Sequence, residues 1–255
     1  MPDFFYICLN YNYLTMKKTF LIITLCVSTF LFSQHAEISV GVNSGLFSFR
    51  GISAVDHSNI NASDFSNGYT NNPYGTKSGL AFGISWDYKY VFKNNLLLGA
   101  NLGYENLRSK VNINQVILNT LSFPGSVVIS KAATGKSNLI YNNINFFPYL
   151  GYRVSANQIH FDVSAGADVA FILSAKEKGS ATTITDNTNY ETSVDRKTIS
   201  TDFRPRIQLN AQYKKYGLYI GYSFGTINYM KDYVGLGDYE AKSRMLRFGL
   251  TYQLK

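Results

Sequence analysis

Cysteine is nearly missing from this 255-residue sequence: there are two, Cys8 and Cys26. A disulfide scaffold is excluded on that count. Charge is also scarce, at 16% of residues against roughly 25% in soluble domains. There are five prolines and one tryptophan, glycine has no three-residue period, and no heptads occur, which removes collagen and coiled coil. After Gln34 no apolar run approaches the ~18 residues that mark a spanning helix. What is present is aromatic: 20 Tyr and 18 Phe beside 20 Gly, with 45% of residues hydrophobic. A disordered chain lacks the apolar content to offset its ordering entropy, and this one does not. The length suits one large β-domain or two small domains.

The one long apolar run lies near the start. Met16-Lys17-Lys18 precedes Thr19–Phe32, which is followed by Ser33-Gln34. A basic segment, an apolar stretch too short for a membrane anchor and a small residue at the cut predict an export signal over 16–34. Residues 1–15 read as a start-site extension, and Leu25 before Cys26 is too bulky for a lipoprotein site. Removing 1–34 takes away Asp3, Lys17, Lys18 and both cysteines, and the formal charge falls from +8 to +7. That moderate basicity is spread along the chain without a cluster, a poor fit to nucleic acid.

Beyond Gln34 the dominant signal is period-two alternation. Leu80, Phe82, Ile84, Trp86, Tyr88 and Tyr90 oppose Gly79, Ala81, Gly83, Ser85, Asp87 and Lys89. Ile159, Phe161, Val163, Ala165, Ala167, Val169, Phe171 and Leu173 oppose His160, Asp162, Ser164, Gly166 and Asp168. Similar patterns cover Phe203–Tyr213 and Leu246–Leu254. Eight strands are predicted, near 36–49, 78–92, 96–109, 138–153, 159–173, 201–214, 217–229 and 243–254. Short turns at 93–95, 155–158 and 214–217 alternate with long stretches at 50–77, 110–137, 174–200 and 230–242. That layout predicts an all-β fold, an eight-stranded antiparallel up-and-down transmembrane β-barrel over 35–255.

Which face is outside follows from volume. Eight strands leave an interior just wide enough for side chains. The bulky Phe, Tyr, Leu and Ile stacks are therefore assigned outward, and the small polar face with its glycines inward. The inward face gives a candidate lumen network of Asp87, Lys89, Glu105, Asp162, Asp168, Asp202, Arg204, Arg206 and Arg247. The outward face gives candidate interfacial aromatics: Trp86, Tyr88, Tyr90, Tyr213, Tyr216 and Tyr252 near the short-turn end, and Tyr104 and Tyr222 towards the loops.

The chain from about 35 to 255 resembles the PorT-like outer-membrane β-barrel family of Gram-negative bacteria, related in shape to small OmpA- and OmpX-type barrels. The resemblance is carried by the Lys-Lys signal ending in Ser33-Gln34, by Ile144–Tyr152, by Gly166-Ala167, and by Leu246–Tyr252. The chain ends in Leu254-Lys255 rather than the aromatic of a usual barrel-assembly signal. The resemblance implies an outer-membrane location and this fold; one branch of the family serves a secretion apparatus.

The chemistry the residues offer is thin. The lumen charges suit either a rigid ion-pair filling or a narrow gated ion path. His160, Asp162 and Ser164 share a strand face, but neighbours on one face lie about 6.6–7 Å apart, beyond the reach of a working triad. His35 and His57 are distant in sequence, so no metal ligands cluster, and no cofactor is expected. Loop aromatics with Asn, including Phe65, Tyr69, Tyr74, Tyr229, Tyr233 and Tyr239, suit protein or sugar contact. The expectation is a non-catalytic structural or loop-binding barrel. The expected partners are outer-membrane lipid and lipopolysaccharide, the barrel-assembly machinery, and an extracellular or secretion-system protein. The alternatives are a narrow solute pore, a secretion accessory and a soluble periplasmic ligand-binding barrel.

Overall fold

The computed structural model describes residues 35–63, 66–122, 125–231 and 238–255. The predicted extension and export signal, 1–34, lie outside the described residues, as do Phe65 and Tyr233. Eleven strands are assigned: β1 His35–Arg50, β2 His57–Ser63, β3 Ser66–Thr70, β4 Lys77–Val91, β5 Leu96–Ser122, β6 Gly125–Ala156, β7 Ile159–Thr183, β8 Asn189–Asp195, β9 Thr201–Tyr213, β10 Tyr216–Phe224 and β11 Lys242–Gln253.

The pairing forms one closed circuit. Antiparallel ladders join β1 to β4, β4 to β5, β5 to β6, β6 to β7, β7 to β9, β9 to β10, β10 to β11, and β11 back to β1. The seam between first and last strands runs from Ser39↔Gln253 to Arg50↔Lys242. The three short turns carry positive-φ residues: Asn95 (66°), Asn157 (55°) and Lys214 (52°). Asparagine tolerates that conformation better than other side chains with a Cβ.

Eight strands are expected and eleven are found among the described residues. Three of the four stretches read as long loops, 50–77, 110–137 and 174–200, hold sheet. β5, β6 and β7 run to 27, 32 and 25 residues, well past their expected ends at 109, 138 and 173. Their extensions pair with three short strands, β2 with β5, β8 with β7, and β3 with β2 and β8. A second circuit, β5–β6–β7–β8–β3–β2–β5, therefore stands above the first and shares three of its strands. Sequence alternation is hard to read there because β2, β3 and β8 are short and carry few apolar residues. Ile60 and Ala62 of β2 and Tyr190 of β8 are the ones that pack on an apolar cluster. Two of their pairings, β2–β5 and β3–β8, are also parallel.

Outward positions of the first circuit are exposed and apolar: Val42, Ile84, Leu102, Leu150, Val163, Ile207, Leu218 and Leu250 all lie open. Two apolar clusters sit inside. Phe47, Phe49, Tyr74, Leu107, Leu139, Tyr141, Tyr229 and Met245 fill the loop half of the first circuit. Ile60, Val111, Ile113, Val116, Ala133 and Ala181 fill the second circuit. The expectation that aromatics are too bulky for the interior is thus corrected. Phe47, Phe49, Tyr141, Phe147, Tyr149 and Tyr219 are all inside. Glycine at the paired position of the neighbouring strand makes the room: a Cβ at Gly99 would lie 2.3 Å from the Tyr149 ring, and one at Gly249 2.5 Å from the Tyr219 ring.

Candidate functional site

The interior of the first circuit is layered along its length. Nearest the short turns, Arg153 of β6 is clamped between two carboxylates. Its Nη1 donates to Glu37 Oε1 at 2.6 Å and its Nε to Asp162 Oδ1 at 2.7 Å. Lys89 Nζ completes the group at 2.6 Å from Asp162 and 3.2 Å from Glu37. Two cations thus meet two anions, all buried, as burial of charge requires.

The next layer is a cavity of about 30 Å³ lined by Ser39, Asp87, Asn101, Tyr149, Gln208 and Thr251 among others. It has room for one or two waters and for nothing larger. The Tyr149 hydroxyl donates to Asp87 there, at 3.0 and 3.2 Å from its two oxygens.

Mid-barrel comes the densest group. Arg247 donates from Nε and Nη2 to Glu105 at 2.7 and 2.9 Å, and its Nη1 lies 2.8 Å from Asp168 Oδ2. Arg206 Nη1 reaches Asp168 Oδ1 at 3.1 Å, with its guanidinium 4.2 Å from the Phe147 ring centroid. Arg204 lies between Glu105, Asp168 and Asp202 at 3.5, 3.7 and 3.9 Å, and donates to Asn145 at 3.0 Å. Three guanidiniums face three carboxylates. Asp202 also accepts from Ser243 at 2.5 Å and from the Tyr229 hydroxyl at 2.9 Å.

Tyr229 begins the closing layer. It comes from the segment between β10 and β11 and packs edge-on against Phe49, Tyr141 and Tyr74, with ring centroids 5.0, 5.6 and 6.4 Å away. Asn228 pins this segment by accepting from the backbone N–H groups of Met230 and Ala241. Tyr74 and Tyr229, read from sequence as exposed loop aromatics, are 2% and 5% exposed. They are a stopper and not a contact surface, because the apolar lining from Phe47, Phe49 and Leu139 draws them inward.

The structure places all nine sequence-derived lumen residues inside. It divides them into a turn-end set (Lys89, Asp162), Asp87 beside the cavity, and a mid-barrel set (Glu105, Asp168, Asp202, Arg204, Arg206, Arg247). Glu37, Arg153 and Asn145 complete these sets and were missed. Their strand parity was the available signal, but inward positions of β6 mix Phe147 and Tyr149 with Asn145 and Arg153, which blurs it. Of the aromatics, Trp86, Tyr88, Tyr104, Tyr213, Tyr216, Tyr222 and Tyr252 are exposed on the outer wall. Tyr90 is corrected: it is only 5% exposed and packs edge-on with Phe92 at 5.1 Å.

His160, Asp162 and Ser164 do not form a catalytic group. His160 Nδ1 meets Ser155 Oγ at 2.8 Å, Asp162 is held by Arg153 and Lys89, and Ser164 points to the Gln208 carbonyl at 3.4 Å. Among the described residues no set of three His, Cys, Asp or Glu side chains converges as metal ligands.

No family model and no curated protein matches the chain. Among solved structures it is similar to Neisserial surface protein A (10% identity over 86% of this chain and 99% of that one, TM-score 0.32). It is also similar to Ail, the attachment invasion locus protein of Yersinia pestis (11% identity, 86% and 97%, TM-score 0.31). A third is the outer membrane protease OmpT of Escherichia coli (12% identity, 86% and 96%, TM-score 0.32). Similarities this distant carry nothing about function.

Proposed function

We propose that the chain is an integral outer-membrane β-barrel of eight spanning strands, closed to solutes, that holds a second, folded sheet unit outside the membrane for contact with other surfaces. One observation carries the membrane reading: the outer wall of the first circuit is apolar, while the turn end and the middle of its interior hold buried charge. Trp86, Leu150 and Ile207 stand 57%, 66% and 65% exposed on the outer wall, while Arg204 and Arg247 are fully buried within. A soluble barrel would have this arrangement reversed, because exposed apolar area of this extent is unfavourable in water and favourable in lipid.

The closed lumen follows from its contents. Matched charges, a cavity of about 30 Å³ and the Tyr229 stopper leave no continuous path, which argues for a plugged barrel over a narrow pore. β6, at 32 residues, is about three times the ~9–11 a spanning strand needs. The remainder is read as the extracellular unit. A PorT-like relationship and a role beside a secretion apparatus fit this shape; lipopolysaccharide around the wall and the assembly machinery during insertion are the partners it would need.

Two measurements test the reading. Native membranes are washed with urea and high salt: retention of the protein until detergent is added supports it, and release without detergent refutes it. In planar bilayers the purified protein is expected to give no steady conductance, and a stable open level would overturn the plugged lumen.

A further inference from the structure

β5 and β6 end in a hairpin that rises above everything else in the second circuit. On its β5 side it is covered by β2 as far as Asn119↔Ser63. On its β6 side the ladder to β7 begins at Ala133↔Thr183, and just above it the Ile184 N–H donates to the Ala132 carbonyl at 2.9 Å. Above that point β6 residues 125–131 have no ladder partner on this side among the described residues. This is an open strand edge. Val127, Val128 and Ile129 are all exposed on it, and no charged residue occurs from Val111 to Ser130. Open edges are normally blunted by charge, proline or a bulge, and within 125–130 this one has none of these.

The edge is also symmetric about its own centre. Ser126-Val127-Val128-Ile129-Ser130 reads nearly alike in both directions, and the open stretch 125–131 is centred on Val128. We infer that this edge pairs antiparallel with the same edge of a second copy, about a two-fold axis at Val128. That register sets Val128 opposite Val128, Val127 opposite Ile129 and Ser126 opposite Ser130. Lys131, already bound to Asp186 at 2.6 Å, falls opposite Gly125, so no like charges meet. The β-branched pairs are the kind that stabilise cross-strand contacts, and a two-fold interface closes on itself without forming a filament.

Direction decides what such a pair would do. β6 runs from the hairpin tip down to the short turns, so an antiparallel partner has its barrel at the opposite end. Two copies paired this way are tip to tip, and on the membrane reading above they sit in two apposed membranes. Seven residues a side is far below the roughly 20–30 of a stable interface. Single pairs are therefore short-lived, and adhesion grows with the number of copies on the facing surfaces.

The test separates pairing from the membrane reading. In detergent, the full chain with Cys8→Ser, Cys26→Ser and Val128→Cys is expected to give a disulfide dimer on mild oxidation. Val127→Cys alone is expected to give several-fold less, and to recover when mixed with Ile129→Cys. Equal cross-linking by every single variant would overturn the register. Phosphatidylcholine vesicles carrying the wild-type chain are expected to cluster by light scattering. Val128→Lys or Val128→Glu alone should slow clustering at least about tenfold by placing like charges opposite, and mixing the two populations should restore it. Heat-modifiable migration on gels shows that each variant is folded. Clustering unaffected by Val128→Lys, or failure of the mixture to recover, refutes the two-fold edge.

Discussion

The two halves of the barrel interior are filled by opposite means. The half near the short turns is held by charge: Glu37, Lys89, Arg153 and Asp162, then Glu105, Asp168, Arg204, Arg206 and Arg247. The half near the loops is held by rings and methyl groups: Phe47, Phe49, Leu107, Leu139, Tyr141 and Met245. Asp202 and Tyr229 meet at the boundary. Buried ion pairs give little net stability, but losing one partner is costly because the other charge stays buried. Apolar filling loses only the contacts and the cavity removed. The first half should therefore be brittle towards single substitutions and the second graded.

The sharpest break is Arg247→Ala, which removes the shortest cation contacts of Glu105 and Asp168 and leaves longer ones to Arg204 at 3.5 and 3.7 Å. A loss of about 3–5 kcal/mol is expected, read as a lowered urea midpoint for the protein folded into lipid vesicles. Replacing Arg247 and Glu105 together by apolar residues of similar size, which leaves Arg204 and Arg206 facing Asp168 and Asp202, should recover much of that loss; no recovery would show that the network does more than neutralise itself. In the other half, Leu107→Ala should cost about 2–4 kcal/mol in the same assay. If it costs more than Arg247→Ala, the brittle-against-graded distinction fails. At the boundary, Tyr229→Phe removes only the hydroxyl bonded to Asp202 and should cost about 1.5–3 kcal/mol. The smallest effect lies outside both halves. The hydrogen bond from Lys131, followed by that from Thr183, holds the exposed Asp186 carboxyl down at about 2. A depressed carboxyl stabilises above its unfolded value near 3.8 and loses that contribution as pH falls through about 2. Amide exchange in the 183–188 turn, compared between wild type and Asp186→Asn, should differ at neutral pH and converge in strong acid, with no change in the urea midpoint.

The same comparison explains what could be read from the sequence. Where the interior is polar, each strand alternates cleanly, and Asp202, Arg204 and Arg206 stand apart from Phe203, Pro205 and Ile207 without ambiguity. Where the interior is apolar, both faces read alike. Leu46 points out and Phe47 in, and nothing in Leu46–Phe49 says which. Bulges at Asn142/Asn143 and Ile113/Gln115 shift the parity again within the long strands. The second circuit was illegible for another reason. Its short strands take their partners from distant chain segments, such as His57↔Asn112 and Gly68↔Thr192, and local pattern cannot report a non-local choice.

The seam has a consequence for how the molecule is made. The Ile38 N–H donates to the Lys255 carbonyl at 3.0 Å, and the Leu254 N–H to the Ile38 carbonyl at 2.8 Å. One edge of β1 therefore stays open until β11 pairs with it. Closure thus joins the two ends of the span from 35 to 255, and Ile38 and Lys255 finish as neighbours. A chain opened at the Lys93–Asn95 turn, with residues 35 and 255 joined by a short linker, should still yield the same closed wall.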